Sequence, residues 1–359
     1  SLPVRATAPA RSKGTKRKPA APVILAPIDF SPESLRALDY AALLRSSFGG
    51  KLHIVHAHDV DSSYAVPSLL LLPPVISVDA INRHYQSQLK KLATKYSAQP
   101  HVKVGRAFDQ ICQLAAELKA KLIVISTHGR TGWKRLLLGS TAERVVRHAS
   151  CPVLVVRERE RNLVARTKRR TANTKRMKIL VPVDFSPGTL ASLRYALFFA
   201  RAWKAELTLL HVVQVQPLIA PEQLAAYDRT PSLSAIERGA RLQMRSLLRG
   251  VDFKGVPYST LIQVGNPAQQ ICHYAEDRGY DLIINATHGH TGLVHVLIGS
   301  VAEHVVRHAH CPVLVVPTRE TRAPSRIERK PEVPERSDNG RLRRRRMKEK
   351  ERPRSCIGG

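Results

Sequence analysis

Apolar residues run almost unbroken from 23 to 28 (Val-Ile-Leu-Ala-Pro-Ile) and again from 179 to 183 (Ile-Leu-Val-Pro-Val), and each run stops on an aspartate, Asp29 or Asp184. Continuous apolar runs this short fit strands covered on both faces, as in a parallel sheet. Phe-Ser-Pro follows both times. Ser31 or Ser186 is suited to cap a helix, and Pro32 or Pro187 fills a first turn whose N–H has no helical partner. The pattern then continues in one order, twice. The first pass predicts helix 33–47, strand 52–58, helix 79–96, strand 102–104, helix 107–119, strand 122–126, helix 140–149 and strand 152–156. The second predicts helix 188–203, strand 207–213, helix 234–249, strand 260–264, helix 267–278, strand 282–286, helix 300–309 and strand 312–316. Strands alternating with helices over short connections predict an α/β fold: two tandem doubly wound parallel five-stranded sheets with right-handed crossovers.

The duplication extends to single residues. Thr127-His128-Gly129-Arg130-Thr131-Gly132 and the later Gly139-Ser140 are matched by Thr287-His288-Gly289-His290-Thr291-Gly292 and Gly299-Ser300. Asp29 and Asp184 stand 155 apart, whereas Gly129 and Gly289 stand 160 apart, so the middle of the second copy is five residues longer. Copies at 21–157 and 177–317 are each the size of an ordinary domain. A basic tail (1–20), a basic linker (158–176) and a second basic tail (318–359) complete the chain. Both copies end in Cys-Pro-Val-Leu-Val-Val, a strand that would be an aggregation hazard at an open sheet edge. Pairing 153–156 with 313–316 would cover both edges within one chain, as an internal pseudo-dimer; otherwise a homodimer would do so.

Charge sharpens this division. The 359-residue chain carries a formal net charge of +30, of which residues 1–20, 157–178 and 318–359 hold 22. Those segments cannot bury enough apolar area to offset ordering entropy and are expected to be disordered. The run Arg343-Arg344-Arg345-Arg346 attracts phosphates, acidic lipids or acidic proteins without a fold. It lacks interleaved aromatics to stack bases, so nucleic-acid contact through the tails is the lesser expectation beside a solubilising role. Four of the five cysteines are the repeat pairs Cys112/Cys272 and Cys151/Cys311, without metal spacing, and read as small buried hydrophobes. Cys356 stands in a poor prenylation box. No apolar core follows the basic N-terminus, and the longest apolar run, 69–72, is too short to span a bilayer. The expectation is a cytoplasmic protein with no membrane contact.

The glycine loops carry the candidate chemistry. In doubly wound sheets ligands sit beyond the carboxyl ends of the strands, where strand order reverses. Asp29 and Asp184 end strand one, and the loops follow strand four; if those strands are neighbours, both features face one cleft. Glycine lets backbone approach a ligand closely, and Ser140 and Ser300 open helices whose free amides and dipole favour an anion. A competing structural account exists, since Ser140-Thr141-Ala142-Glu143 and Ser300-Val301-Ala302-Glu303 both fit a capping box. Capping does not explain three glycines placed identically twice, so the loops are assigned to phosphate. Neither a P-loop nor G-x-G-x-x-G is present. His128 and His288 have no visible partner for general-base work, and His53, His56, His58 and His308 show no metal spacing.

Pro-x-Asp-Phe-Ser, a histidine late in strand two, Thr-His-Gly-x-Thr-Gly, Gly-Ser and Pro-Val-Leu-Val-Val together resemble the universal stress protein family over nearly all of 21–317. Its nucleotide-binding branch carries G-x2-G-x9-G-[S/T]. Gly129, Gly139 and Ser140, and Gly289, Gly299 and Ser300, meet the last three positions, while Ser126 and Ala286 replace the first glycine. The resemblance implies a stress-response protein that binds ATP, with Mg2+, and signals through unknown protein partners. It implies that Pro27, Ile28, Asp29 and Ala57 in the first copy, and Pro182, Val183, Asp184 and Val212 in the second, face the adenosine. Ser126, Thr127, His128, Gly129, Arg130, Gly132, Gly139, Ser140 and Thr141 would hold phosphates, matched by Ala286, Thr287, His288, Gly289, His290, Gly292, Gly299, Ser300 and Val301. Arg130, Lys134 and Arg135 stand where the second copy has His290, Val294 and His295, which favours tighter ATP binding by the first. A slow ATPase is the enzymatic alternative; an adenylate-forming ligase is disfavoured by Asp-Phe-Ser-Pro after strand one.

Overall fold

The computed structural model describes residues 21–59, 78–127, 138–157, 176–214, 233–287 and 298–318, all within one compact unit. The first half runs β1 (Val23–Pro27), α1 (Pro32–Phe48), β2 (Lys51–His58), α2 (Val78–Tyr96), β3 (Gln99–Val104), α3 (Ala107–Glu117), β4 (Leu122–Ser126), α4 (Ser140–His148) and β5 (Val153–Val156). The second runs β6 (Lys178–Pro182), α5 (Pro187–Trp203), β7 (Glu206–Val213), α6 (Leu233–Arg249), β8 (Tyr258–Val264), α7 (Pro267–Asp277), β9 (Leu282–Ala286), α8 (Ser300–His308) and β10 (Val313–Val316). Each expected element is present. β3 and β8 start earlier than the pattern predicts, because their residues are half-exposed or exposed and leave no apolar run to read.

The strands form a single ten-stranded sheet in the order β3-β2-β1-β4-β5-β10-β9-β6-β7-β8. Within each half every pairing is parallel. The halves meet through β5 and β10, which run antiparallel with Val153 opposite Val315, Leu154 opposite Leu314 and Val155 opposite Val313. The two five-stranded sheets are thus halves of one internal pseudo-dimer. Strand order reverses in each half where β1 lies beside β4, and β6 beside β9. The connections from those paired strands leave toward opposite faces, opening a cleft above their carboxyl ends.

Alternation along the strands divides two cores. Ile24, Ala26, Leu122, Val124, Leu154, Val156, Leu314 and Val316 point to the face covered by α1, α2, α5 and α6. Leu25, Ile123, Ile125, Val153, Val155, Val313 and Val315 point to the face of α3, α4, α7 and α8. Both cores cross the junction between halves. On the first face Phe48 packs on Phe198 at 4.6 Å and edge-on to Phe199 at 5.1 Å, and the indole N–H of Trp203 donates to Ser47 Oγ at 3.3 Å. On the second, Arg307 donates to Glu303 at 2.7 Å and, across the junction, to Glu143 at 3.3 Å, which also receives Arg147 at 2.8 Å. Arg157 adds a bond to the carbonyl of Ala309. Cys112, Cys151, Cys272 and Cys311 form no disulfide; burial pushes the thiols of Cys112 and Cys272 up to about 11 and that of Cys151 to about 12, which disfavours the nucleophilic thiolate.

A histidine pair joins β2 to β3: His53 Nδ1 lies 2.9 Å from His101 Nε2. Burial pushes both imidazoles below their ordinary range; His101 and Lys51 add to the effect at His53, and Lys103 adds to it at His101 against an opposing Glu117. The folded state therefore holds both rings neutral at a pH where the unfolded chain begins to bind protons. Stability from this pair is present above about pH 6.5 and is lost as pH falls below that value. Replacing both residues by leucine should flatten the acid-side loss of urea stability between about pH 7 and pH 5; an unchanged slope would show that the pair titrates alike folded and unfolded.

The junction makes a second prediction. A protease site introduced in 158–175 and cut should leave the halves co-eluting on gel filtration at micromolar concentration. Separation of the halves would mean that β5 and β10 do not hold them together.

Candidate functional site

Two clefts lie at the strand-order reversals. The first, about 270 Å3, is lined by Pro27, Ile28 and Asp29 after β1, Ala57 of β2, Ser126 and Thr127 after β4, and Gly139, Ser140 and Thr141 at the start of α4. The second, about 630 Å3, is lined at the matching places by Pro182, Val183, Asp184, Val212, Ala286, Thr287, Gly299, Ser300 and Val301. Every described residue that the sequence assigned to a site lines its cleft. His128, Gly129, Arg130, Gly132, Lys134 and Arg135, and His288, Gly289, His290, Gly292, Val294 and His295, lie outside the described residues.

The aspartates are held by the turns that follow them. Asp29 Oδ1 accepts from the amide of Ser31 at 3.0 Å and from its hydroxyl at 2.5 Å. Asp184 Oδ1 accepts from the amide of Ser186 at 3.0 Å and from the hydroxyls of Ser186 and Thr189, both at 2.7 Å. Between aspartate and serine, Phe30 (φ 66°) and Phe185 (φ 63°) take the left-handed conformation that bulky residues rarely adopt. The same strain recurs in both copies. It turns each phenyl ring onto a histidine, Phe30 to His56 at 4.9 Å and Phe185 to His211 at 4.5 Å. Each histidine donates its Nδ1–H to a carbonyl at the end of the first strand, His56 to Ile28 and His211 to Val183, both at 2.7 Å. A carbonyl can only accept, so these bonds fix the tautomer while tying the two strand ends into one wall.

Opposite that wall, the loop ends are pinned. The Thr127 N–H donates to the carbonyl of Val156 at 3.0 Å and the Gly139 N–H to the carbonyl of Thr127 at 2.7 Å; Thr287 to Val316 and Gly299 to Thr287 repeat this at 2.9 and 2.8 Å. The capping-box account of the serines does not hold. Gly139 and Gly299 occupy the cap positions without any side-chain cap bond, and Ser140 and Ser300 are the first helical residues. The glutamates instead turn to Arg147 and Arg307. The first helical bonds are Glu143 to Gly139 and Glu303 to Gly299. The amides of residues 140–142 and 300–302 precede those bonds, at the positive end of the helix dipole. Ser31 caps α1 as expected, through the amide of Ser34, whereas Ser186 makes no side-chain cap bond to α5.

Sequence reasoning missed several lining residues. Thr189, which doubles the hold on Asp184, carried no periodic signal. Ile111 and Ile271 line the two clefts from α3 and α7, and Ile236, Gly239, Ala240 and Gln243 line the second from α6. The last group had a legible signal, since 80–88 and 235–243 share Ala-Ile-x-Arg-x4-Gln.

The family model described as "Universal stress protein family" matches residues 22–157 and 175–317. The chain is 34% identical over 139 residues to a universal stress protein of Methanocaldococcus jannaschii, covering 39% of this chain and 81% of that one. It is 26% identical over 306 residues to a universal stress protein of Mycolicibacterium smegmatis, covering 82% of this chain and 97% of that one. Among solved structures, a universal stress protein from Archaeoglobus fulgidus matches with a TM-score of 0.57 at 20% identity, over 82% of this chain and 98% of that one, a likeness of fold.

Proposed function

The chain belongs to the universal stress protein family, and from that premise we propose that it is a cytoplasmic stress-response protein that binds an adenine nucleotide, ATP with magnesium, and signals through nucleotide-dependent partner binding. The binding units are 21–157 and 177–317, joined by the basic linker 158–176 and flanked by the tails 1–20 and 318–359. The observation that carries the reading is the convergence in each cleft of an aspartate after the first strand, small residues after the fourth, and a helix N-terminus whose serine serves no cap. The serine hydroxyl and the first-turn amides suit phosphate oxygens. Asp29 or Asp184, held in place by its turn, suits a ribose hydroxyl. Among the described residues no three His, Cys, Asp or Glu side chains gather to hold a metal, and each cleft offers one carboxylate. Magnesium would accompany the ATP phosphates, with Asp29 or Asp184 as the carboxylate that each cleft offers it. No helix among the described residues is long and apolar enough to cross a membrane.

The double variant Ser140→Asp, Ser300→Asp tests the site. A carboxylate in the first turn suits the helix dipole, so the fold should be kept. The same charge meets the phosphates at close range, and ATP affinity by calorimetry should fall at least about 100-fold, using the Coulomb energy of like charges in a partly screened cleft. Unchanged affinity with normal circular dichroism would remove the assignment.

A further inference from the structure

The two copies are alike at the phosphate end and differ at the other. α2 and α6 align without a gap, because Ala80, Ile81, Arg83 and Gln88 recur as Ala235, Ile236, Arg238 and Gln243, and Leu89 and Met244 are buried at matching places. In that register Tyr85 faces Ala240. The Tyr85 ring lies 4.1 Å from His56, 5.2 Å from His58 and stacked 5.9 Å from Phe30, over the end of β2. Two more contacts of the first copy fasten α2 there or turn its polar groups aside: His58 Nε2 meets Asn82 at 2.8 Å, and the Gln88 amide meets His84 at 2.8 Å. The second copy has Val213, Glu237 and Gly239 in place of His58, Asn82 and His84. Ile236, Gly239, Ala240 and Gln243 line its cleft, whereas no described residue of α2 lines the first.

Gly239 supports the same conclusion. Glycine weakens a helix interior, and a Cβ placed on Gly239 would meet no atom within 4 Å, so protein packing does not demand it. Its missing side chain leaves the cleft wall open beside Gln243, whose amide offers a donor and an acceptor to a base edge. The volumes run in the same direction. About 630 Å3 lies within the ordinary range for small-molecule sites, roughly 300–1,000 Å3, and about 270 Å3 falls short of it.

We propose, resting on the nucleotide reading above, that only the second copy takes a whole nucleotide, because Tyr85 fills in the first copy the compartment that Ala240 and Gly239 leave open for the base in the second. The first cleft keeps Asp29 and the phosphate-binding end but lacks the room that a base needs. Room at the base end then decides occupancy ahead of the extra loop charge of the first copy.

Equilibrium dialysis of the full-length protein with labelled ATP tests this. The wild type should bind one ATP per chain and Tyr85→Ala two, while Ala240→Tyr should weaken binding at least about tenfold, with thermal melts confirming that each variant is folded. Two sites in the wild type would overturn the inference and leave the nucleotide reading standing. A single site in folded Tyr85→Ala, or weaker binding there, would also overturn it and make the tyrosine a wall or a stacking platform. No ATP bound by the wild type would overturn the nucleotide reading itself, and this inference with it.

Discussion

The antiparallel meeting of β5 and β10 is the interaction on which the rest of this architecture depends. Each strand is four residues of Val-Leu-Val-Val, buried on both faces, with a parallel neighbour on one side and its own half of the chain exhausted on the other. Backbone donors and acceptors in such an apolar strand need partners, and among the described residues each half places no further strand beside β5 or β10 to provide them. Pairing the last strands satisfies both edges at once. It also makes the two apolar layers continuous, so α1 meets α5 through Phe48 and Trp203 and α4 meets α8 through Glu143 and Arg307. The ion pairs on that face are partly exposed and add little beside the apolar burial.

With the halves joined at one edge, both clefts open at the interior of the sheet, where β1 meets β4 and β6 meets β9. Their walls are built by the same local devices: a left-handed phenylalanine, a histidine bonded to the preceding strand's last carbonyl, and a glycine pinned to a threonine. A strained residue that recurs at the same place in two divergent copies is maintained by its surroundings in both. Here the surroundings are the aspartate–serine turn on one side and the histidine ring on the other.

Duplication relaxes what either copy alone must do. The second copy keeps an open wall at α6, with Gly239 and Ala240, and the first closes the matching place with an aromatic and histidine cluster. The first copy trades cleft volume for packing between α2 and the end of β2, and the second makes the opposite choice. Both remain compatible with one sheet, because α2 and α6 lie on the outer side of the first layer, away from the β5–β10 junction.

The strand and helix order, the duplication and the pairing of the last strands were legible in the sequence, because burial on two faces forces continuous apolar runs and parallel strands require helical crossovers. The aspartates and the glycine–serine turns were legible as well, since each sits at a strand end with a repeated local pattern, whereas Ala57 of β2 and Val212 of β7 came from the family resemblance. Other features needed the tertiary structure. The edges of β3 and β8 carry no burial pattern, so their starts could not be read. Whether Ser140 caps its helix or frees its hydroxyl depends on one residue of register at Gly139, which spacing alone does not fix. The difference between the clefts arises from residues 28 or 29 positions beyond His56 and His211 in sequence. Only the packing of α2 and α6 against the strand ends brings Tyr85 and Ala240 to matching places, where one fills the cleft and the other leaves it open.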